Sequence, residues 1–179
     1  MNYPLILTLV SCLIYVPSSS ADQPVTFDPY VVESANKKYT LTVKRPSRLA
    51  KLFGTELSEY PWILQVRQGR RSVWRIGFRH PGFGGGYLAN DGSLYVYVSP
   101  DYAANINAIS IYSSKGCIKR VPYKELNFDR RLIAKSVSYE WAWDDDGYQG
   151  FVYARDGTIE SFCVTTVDGR LHKIDLRPK

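Results

Sequence analysis

Five dipeptides constrain this chain more than any other feature: Gln68-Gly69, Asp91-Gly92, Lys115-Gly116, Asp156-Gly157 and Asp168-Gly169. Glycine reaches positive φ at little cost, and tight hairpin turns require it. Around these turns the residues read as strands. Tyr39-Thr40-Leu41-Thr42-Val43 alternates apolar and polar, and Leu94-Tyr95-Val96-Tyr97-Val98 does so with tyrosine on the wet face. Further strands are expected over 62–67, 73–78, 106–112, 117–121, 137–143, 151–154, 159–167 and 171–176. Aromatics at 14% of the chain, 14 of them Tyr, against a single Met suit pleated surfaces better than helices. The expected fold class is all-β and antiparallel, a single domain over 22–179.

Two stretches break the rhythm. Residues 47–53 carry Leu49, Leu52 and Phe53 at helical spacing before Gly54, and residues 123–134 place Leu126, Leu132 and Ile133 among charges. Each is expected to form a short helix or an irregular connection. A weak repeat also runs through the chain. Ala35-Asn36-Lys37-Lys38-Tyr39, Ala89-Asn90-Asp91-Gly92-Ser93-Leu94 and Ala154-Arg155-Asp156-Gly157-Thr158-Ile159 each lead a turn into a strand. Hairpins at Gly69, Gly116 and Gly169 recur after 47 and 53 residues, the size of a four-stranded propeller blade. Three such blade-like units exhaust the chain. A closed propeller takes at least about four blades, so a partial propeller-like stack or a curved sandwich is expected.

Residues 1–21 read as a secretory signal. An apolar run from Leu5 to Val16, broken only by Thr8, Ser11 and Cys12, precedes Pro17 and Ser18-Ser19-Ser20-Ala21. Ser19 and Ala21 satisfy the small-x-small cleavage rule, so the mature chain is expected to start at Asp22. The run is well short of the roughly 20 residues that a spanning helix needs, so no transmembrane helix is expected in the mature chain. Periplasmic or secreted localisation follows.

Charge is distributed unevenly. The net charge of +6 conceals a segment from Lys37 to His80 with 11 Lys and Arg against Glu56 and Glu59, whereas the 12 cations beyond it meet 12 acids. In 71–78, alternation sets Arg71, Val73, Arg75 and Gly77 opposite Ser72, Trp74, Ile76 and Phe78. Arg67, Arg70, Arg71 and Arg75 then form a basic face around the turn at Gly69. An exported protein rarely meets nucleic acid, so anionic envelope polymers, lipid head groups or another protein are the expected partners. A merely solvated basic face is the alternative.

The order of these elements, from the 89–98 run through Ile109-Ser110-Ile111-Tyr112, Lys115-Gly116 and Tyr123-Lys124-Glu125-Leu126 to the closing 164–176 hairpin, resembles a loose group of exported bacterial proteins with propeller-like β repeats and no assigned activity. The resemblance implies the fold and export. It carries no catalytic residue with it.

Motifs for chemistry are sparse. Ser114-Lys115-Gly116-Cys117-Ile118-Lys119 resembles the Ser-His-Gly-Cys-x-Arg signature of the L,D-transpeptidases, with Cys117 as nucleophile, but Lys115 and Lys119 replace the His and the Arg. A thiol needs an activating base, and the nearest His upstream is His80. His172 is expected to face solvent. Asp144-Asp145-Asp146-Gly147 lacks the alternate acids of a calcium loop and reads as a polar hairpin tip. Cys117 and Cys163 leave two readings open. One is a single disulfide, which would contribute on the order of 3–4 kcal/mol; the other is a pair of buried thiols. Finally, Val137, Tyr139, Trp141 and Trp143 would share one face of a strand, either as core or as a stacking platform for sugar rings. No cofactor and no metal are expected. The reading that emerges is a non-enzymatic exported binding module, with a cell-wall- or carbohydrate-active enzyme using Cys117 or Asp144–Asp146 as the alternative.

Overall fold

The computed structural model describes residues 27–46, 61–100, 102, 107–135, 140–144 and 147–177. The signal segment, the start of the domain at Asp22, the helical spacing of 47–53, Tyr139, Asp145 and Asp146 lie outside them. Three meanders follow one another. The first comprises β1 (Tyr30–Glu33), β2 (Thr40–Lys44), β3 (Trp62–Gln68) and β4 (Arg71–Phe78). The second comprises β5 (Tyr87–Leu88), β6 (Tyr95–Val98), β7 (Asn107–Ser113) and β8 (Gly116–Pro122). After single 3-10 turns at Tyr123–Glu125 and Arg130–Leu132 comes a two-residue pair, β9 (Ala134–Lys135) with β10 (Glu140–Trp141). The third meander comprises β11 (Gln149–Tyr153), β12 (Ile159–Thr165) and β13 (Leu171–Asp175). Among the described residues all pairings within the sheets are antiparallel, and no sheet closes on itself.

The sheets pack face to face, with the second in the middle. Strand period places Leu64, Val66, Trp74, Ile76 and Phe78 on one face of the first sheet, where they meet Leu88, Tyr95 and Tyr97. The opposite face of the second sheet, through Val96, Ile109, Ile111 and Val121, packs on Phe162, Val164 and Ile174 of the third. Both faces of β6 are therefore covered. This corrects the expectation of wet tyrosines: Tyr95 and Tyr97 are buried. The Tyr95 hydroxyl donates to the Gly85 carbonyl and accepts from Tyr30, so a phenol can be buried without losing its hydrogen bonds. Burial pushes the Tyr95 hydroxyl well above its ordinary value.

The repeated turn segments have one geometry. Residues 34–38, 89–93, 154–158 and 166–170 each close with the N–H of the fourth residue on the carbonyl of the first, at 2.8–3.0 Å. In each, the side-chain oxygen of the third residue (Asn36, Asp91, Asp156 or Asp168) accepts the N–H of the fifth at 2.9–3.3 Å. The fourth residue has positive φ, being Gly92, Gly157 and Gly169 in three turns and Lys37 (φ 56°) in the other. The first three of these turns join the opening two strands of the three meanders.

One expected strand changes. Of the strand expected over 137–143, residues 137–139 lie outside the described residues, and β10 covers Glu140–Trp141, with Glu140 paired antiparallel to Lys135. Trp143 lies beyond it, in an isolated bridge to Thr166.

Candidate functional site

The first sheet carries a basic end. Glu33 pairs with Thr40, Thr40 with Arg67, and Arg67 with Ser72. The β1–β2 turn with Lys37 and Lys38 therefore sits at the same end as the β3–β4 turn with Arg70. Gly69, at φ 54°, is the first of the two residues of that turn between the paired Gln68 and Arg71, a primed hairpin geometry. Trp74, Ile76 and Phe78 are buried, while Arg67, Arg70, Arg71, Arg75 and Arg79 are exposed. The expected alternation is corrected in one place: a bulge pairs Arg67 with Ser72 and Gln68 with Arg71, and Ser72 accepts from Gln65, the partner of Arg75, so Ser72 and not Arg71 shares the face of Arg75. Arg67 donates through Nη2 to the Arg70 carbonyl at 3.3 Å. Among the described residues the ion pairs are Arg131–Asp129, Arg170–Asp168 and Arg177–Asp175, and none involves these arginines. Their charge is left for solvent or for a ligand.

The remaining residues singled out in the sequence are scattered. Trp143 is core: its indole donates to the Ser99 carbonyl, which also accepts the Tyr123 hydroxyl at 2.8 Å, and its ring lies 5.6 Å from that of Tyr123. A sugar platform cannot include it. Trp141 is placed by its backbone in β10, opposite Ala134, and Val137 and Tyr139 lie outside the described residues. Cys117 and Cys163 are free thiols, which corrects the disulfide reading. Cys117 sits opposite Tyr112, whose ring packs 5.3 Å from Phe78 of the first sheet. Phe162 and Val164 face the second sheet, so alternation turns Cys163, between them, the other way. The two thiols belong to different sheets and to faces that do not meet.

Both histidines are spoken for. His80 is buried, with Nδ1 accepting the Gly82 N–H at 3.0 Å and Nε2 2.9 Å from the Asp28 carbonyl, which makes Nε2 the protonated nitrogen. The rings of Phe27, Tyr30, Trp62 and Phe78 surround it, and burial lowers its pKa. His172 is half-buried, its Nε2 3.0 Å from Thr166 Oγ1, which in turn donates to Asp168. The thiol of Cys117 meets the Lys119 carbonyl at 3.7 Å. The Asp144 main-chain carbonyl accepts the Gly147 N–H at 3.1 Å.

A cleft that the sequence did not show lies where the first strands of the three meanders converge. Ser34, just past β1, bridges Leu88 of β5 in parallel. The Tyr87 hydroxyl of β5 donates to Gln149 Oε1 of β11 at 2.9 Å, and the Asn90 N–H donates to the Tyr153 hydroxyl at 2.8 Å. The cleft between them has a volume of about 350 Å³ and is lined by Glu33, Tyr87, Tyr148, Gln149, Phe151 and Tyr153, among others. The rings of Tyr87 and Phe151 rest on buried Phe162 at 5.3 and 5.4 Å. Burial raises the pKa of both Tyr87 and Tyr153, so these phenols remain protonated donors. The only sequence signal for the cleft was the repeat itself, because it marks the turns that end β1 and β5 and the one that follows β11. Compared with family models, with curated proteins and with solved structures, the chain matches none.

Proposed function

We propose that this chain is an exported, non-enzymatic binding module that holds anionic envelope polymers on the basic end of its first sheet. In this reading residues 1–21 direct export, and the three meanders are blade-like repeats of one unit, whose shared turn geometry supports their common design. The observation that carries the function is electrostatic. Arg67, Arg70 and Arg71, together with Lys37 and Lys38, are exposed at one end of the first sheet with Arg75 farther along β4, and among the described residues no carboxylate pairs with them. Clustered unpaired cations raise the local potential and attract polyanions, and the attraction is screened within about 8 Å at physiological ionic strength.

The test is retention on immobilised heparin across a salt gradient. The native protein should elute late and shift sharply earlier as salt rises. The triple variant Arg70→Ser, Arg71→Ser, Arg75→Ser should pass unretained with its melting temperature nearly unchanged, since all three side chains are exposed. Equal retention of the triple variant would reduce the basic end to a solubility feature.

A further inference from the structure

The convergence cleft, some strands away from the arginines, has a different chemistry. We propose that it is a binding site for a neutral saccharide of one or two pyranose rings. Three observations lead there, and none depends on polyanion binding.

The first is size and build. At about 350 Å³ the cleft falls at the small-ligand end of the usual range for binding pockets, roughly 300–1,000 Å³. Its walls come from three separate sheets, and two of its rings are seated on Phe162, which is fully buried. The aromatic surfaces are thus held before any ligand arrives, which limits the ordering cost of binding.

The second is the balance of unspent hydrogen-bonding groups. The Tyr87 hydroxyl uses its proton on Gln149 Oε1, so the Gln149 amide retains its two N–H donors for a ligand. The Tyr153 oxygen accepts from Asn90, so its own O–H remains to donate. The Glu33 carboxylate is exposed and has no ion pair among the described residues. One acceptor-only carboxylate beside neutral amide and phenol donors matches adjacent hydroxyls, each of which both donates and accepts. Tyr148, Phe151 and Tyr153 provide the apolar faces on which the C–H side of a pyranose can lie.

The third is what the cleft excludes. An anionic ligand would meet Glu33. A quaternary ammonium would suit an aromatic cage with an acid, but it could use neither the Gln149 amide nor the Tyr153 hydroxyl, and Lys37 and Lys38 lie on the turn that leaves β1. A neutral polyol uses every group.

The experiment is titration of the 15N-labelled protein with cellobiose, maltose and chitobiose in turn, and with tetramethylammonium chloride as a fourth probe. At least one disaccharide should shift the amides of Gly86, Leu88, Gly150 and Tyr153 in a saturable way, equally at low and high salt. Tyr148→Ala and Glu33→Gln, both at exposed side chains, should each weaken that binding at least tenfold while the amide spectrum elsewhere stays native. The Arg70, Arg71, Arg75 triple variant should bind the sugar as the native protein does, so that failure of the polymer reading leaves this one standing, and the reverse. No shift with any of the three disaccharides, shifts that survive both cleft substitutions, or stronger shifts with tetramethylammonium would each overturn the proposal.

Discussion

Asn36 and Asn90 clasp one another across two turns of identical design: the Asn36 N–H donates to Asn90 Oδ1 at 3.0 Å, and Asn36 Nδ2 donates to the Asn90 carbonyl at 2.8 Å. The first turn belongs to the first sheet and the second to the middle sheet. Because the Asn90 N–H is itself bound by Tyr153, all three sheets are tied at this point. Asn90→Ala removes one acceptor and should cost about 1 kcal/mol. Asn36→Ala also strips the Lys38 N–H of its acceptor and leaves the Ser34 hydroxyl only the Tyr39 carbonyl, and should cost about 2 kcal/mol. Because each variant removes a different side-chain-to-backbone bond, urea unfolding should show both single losses and a double variant close to their sum, whereas an unchanged midpoint in both single variants would mean that the clasp contributes nothing.

The four equivalent turns predict two substitutions of opposite sign. Lys37 occupies, at φ 56°, the position that Gly92, Gly157 and Gly169 fill elsewhere. The left-handed conformation costs a non-glycine residue about 1–2 kcal/mol, partly offset by glycine's greater freedom when unfolded. Lys37→Gly should therefore raise stability by up to about 1 kcal/mol. At Gly92 a Cβ would stand 2.4 Å from Tyr39 Cδ1, in addition to the φ of +71°. Gly92→Ala should lose about 2–4 kcal/mol. Thermal melts of the pair check both signs.

His80 gives the fold an acid sensitivity. Burial depresses its pKa, and its Nδ1, the nitrogen that would take a proton, already accepts from Gly82. The unfolded chain, with an imidazole near pKa ~6.5, then binds more protons than the folded one below that value. Stability is complete above pH ~6.5 and falls as pH drops from there towards the depressed folded value. His172, likewise lowered by its partial burial, acts in the same direction. Urea midpoints at pH 7.5 and 5.0 should differ, and His80→Gln should flatten the dependence while His172→Gln removes only part of it. An unchanged slope in His80→Gln would show that the imidazole stays neutral in neither state.

The thiols should behave as two unlinked groups. Ellman's reagent should leave Cys163 unreacted in the native protein, because it is buried, and should titrate both Cys117 and Cys163 in guanidinium. Adding reductant should leave the melting temperature unchanged.

Much of the fold was legible because its signals are local. Turn glycines and period-2 alternation marked β2, β3, β4, β6, β7, β8, β11, β12 and β13 to within a few residues. The misses share a cause. Tyr30-Val31-Val32-Glu33 and Tyr87-Leu88 are too short for alternation to register, and they are two of the three strands that wall the cleft. Tyr95 and Tyr97 look amphipathic in one dimension, and only the packing of a second sheet on that face decides that they are buried. The aromatic row around Trp141 and Trp143 assumed one unbroken strand, but residue order cannot reveal that Lys135 pairs with Glu140. The arginines could be placed together for the opposite reason, since they sit on two strands joined by a two-residue turn, although the bulge after Val66 that takes Arg71 off the face of Arg75 was not legible. A site assembled from one hairpin is written in adjacent letters, while a site assembled from three sheets is not.

Every ladder in the described sheets joins strands that are neighbours in sequence. The kinetic consequence is that no strand must wait for a distant partner. Folding rate falls as the sequence separation of contacts grows, and here each loop to be closed joins consecutive strands, the longest within a sheet being the 17 residues between Lys44 and Trp62. The first meander can be complete before the last strand has left the ribosome, with its apolar face then serving as the template on which the middle sheet condenses.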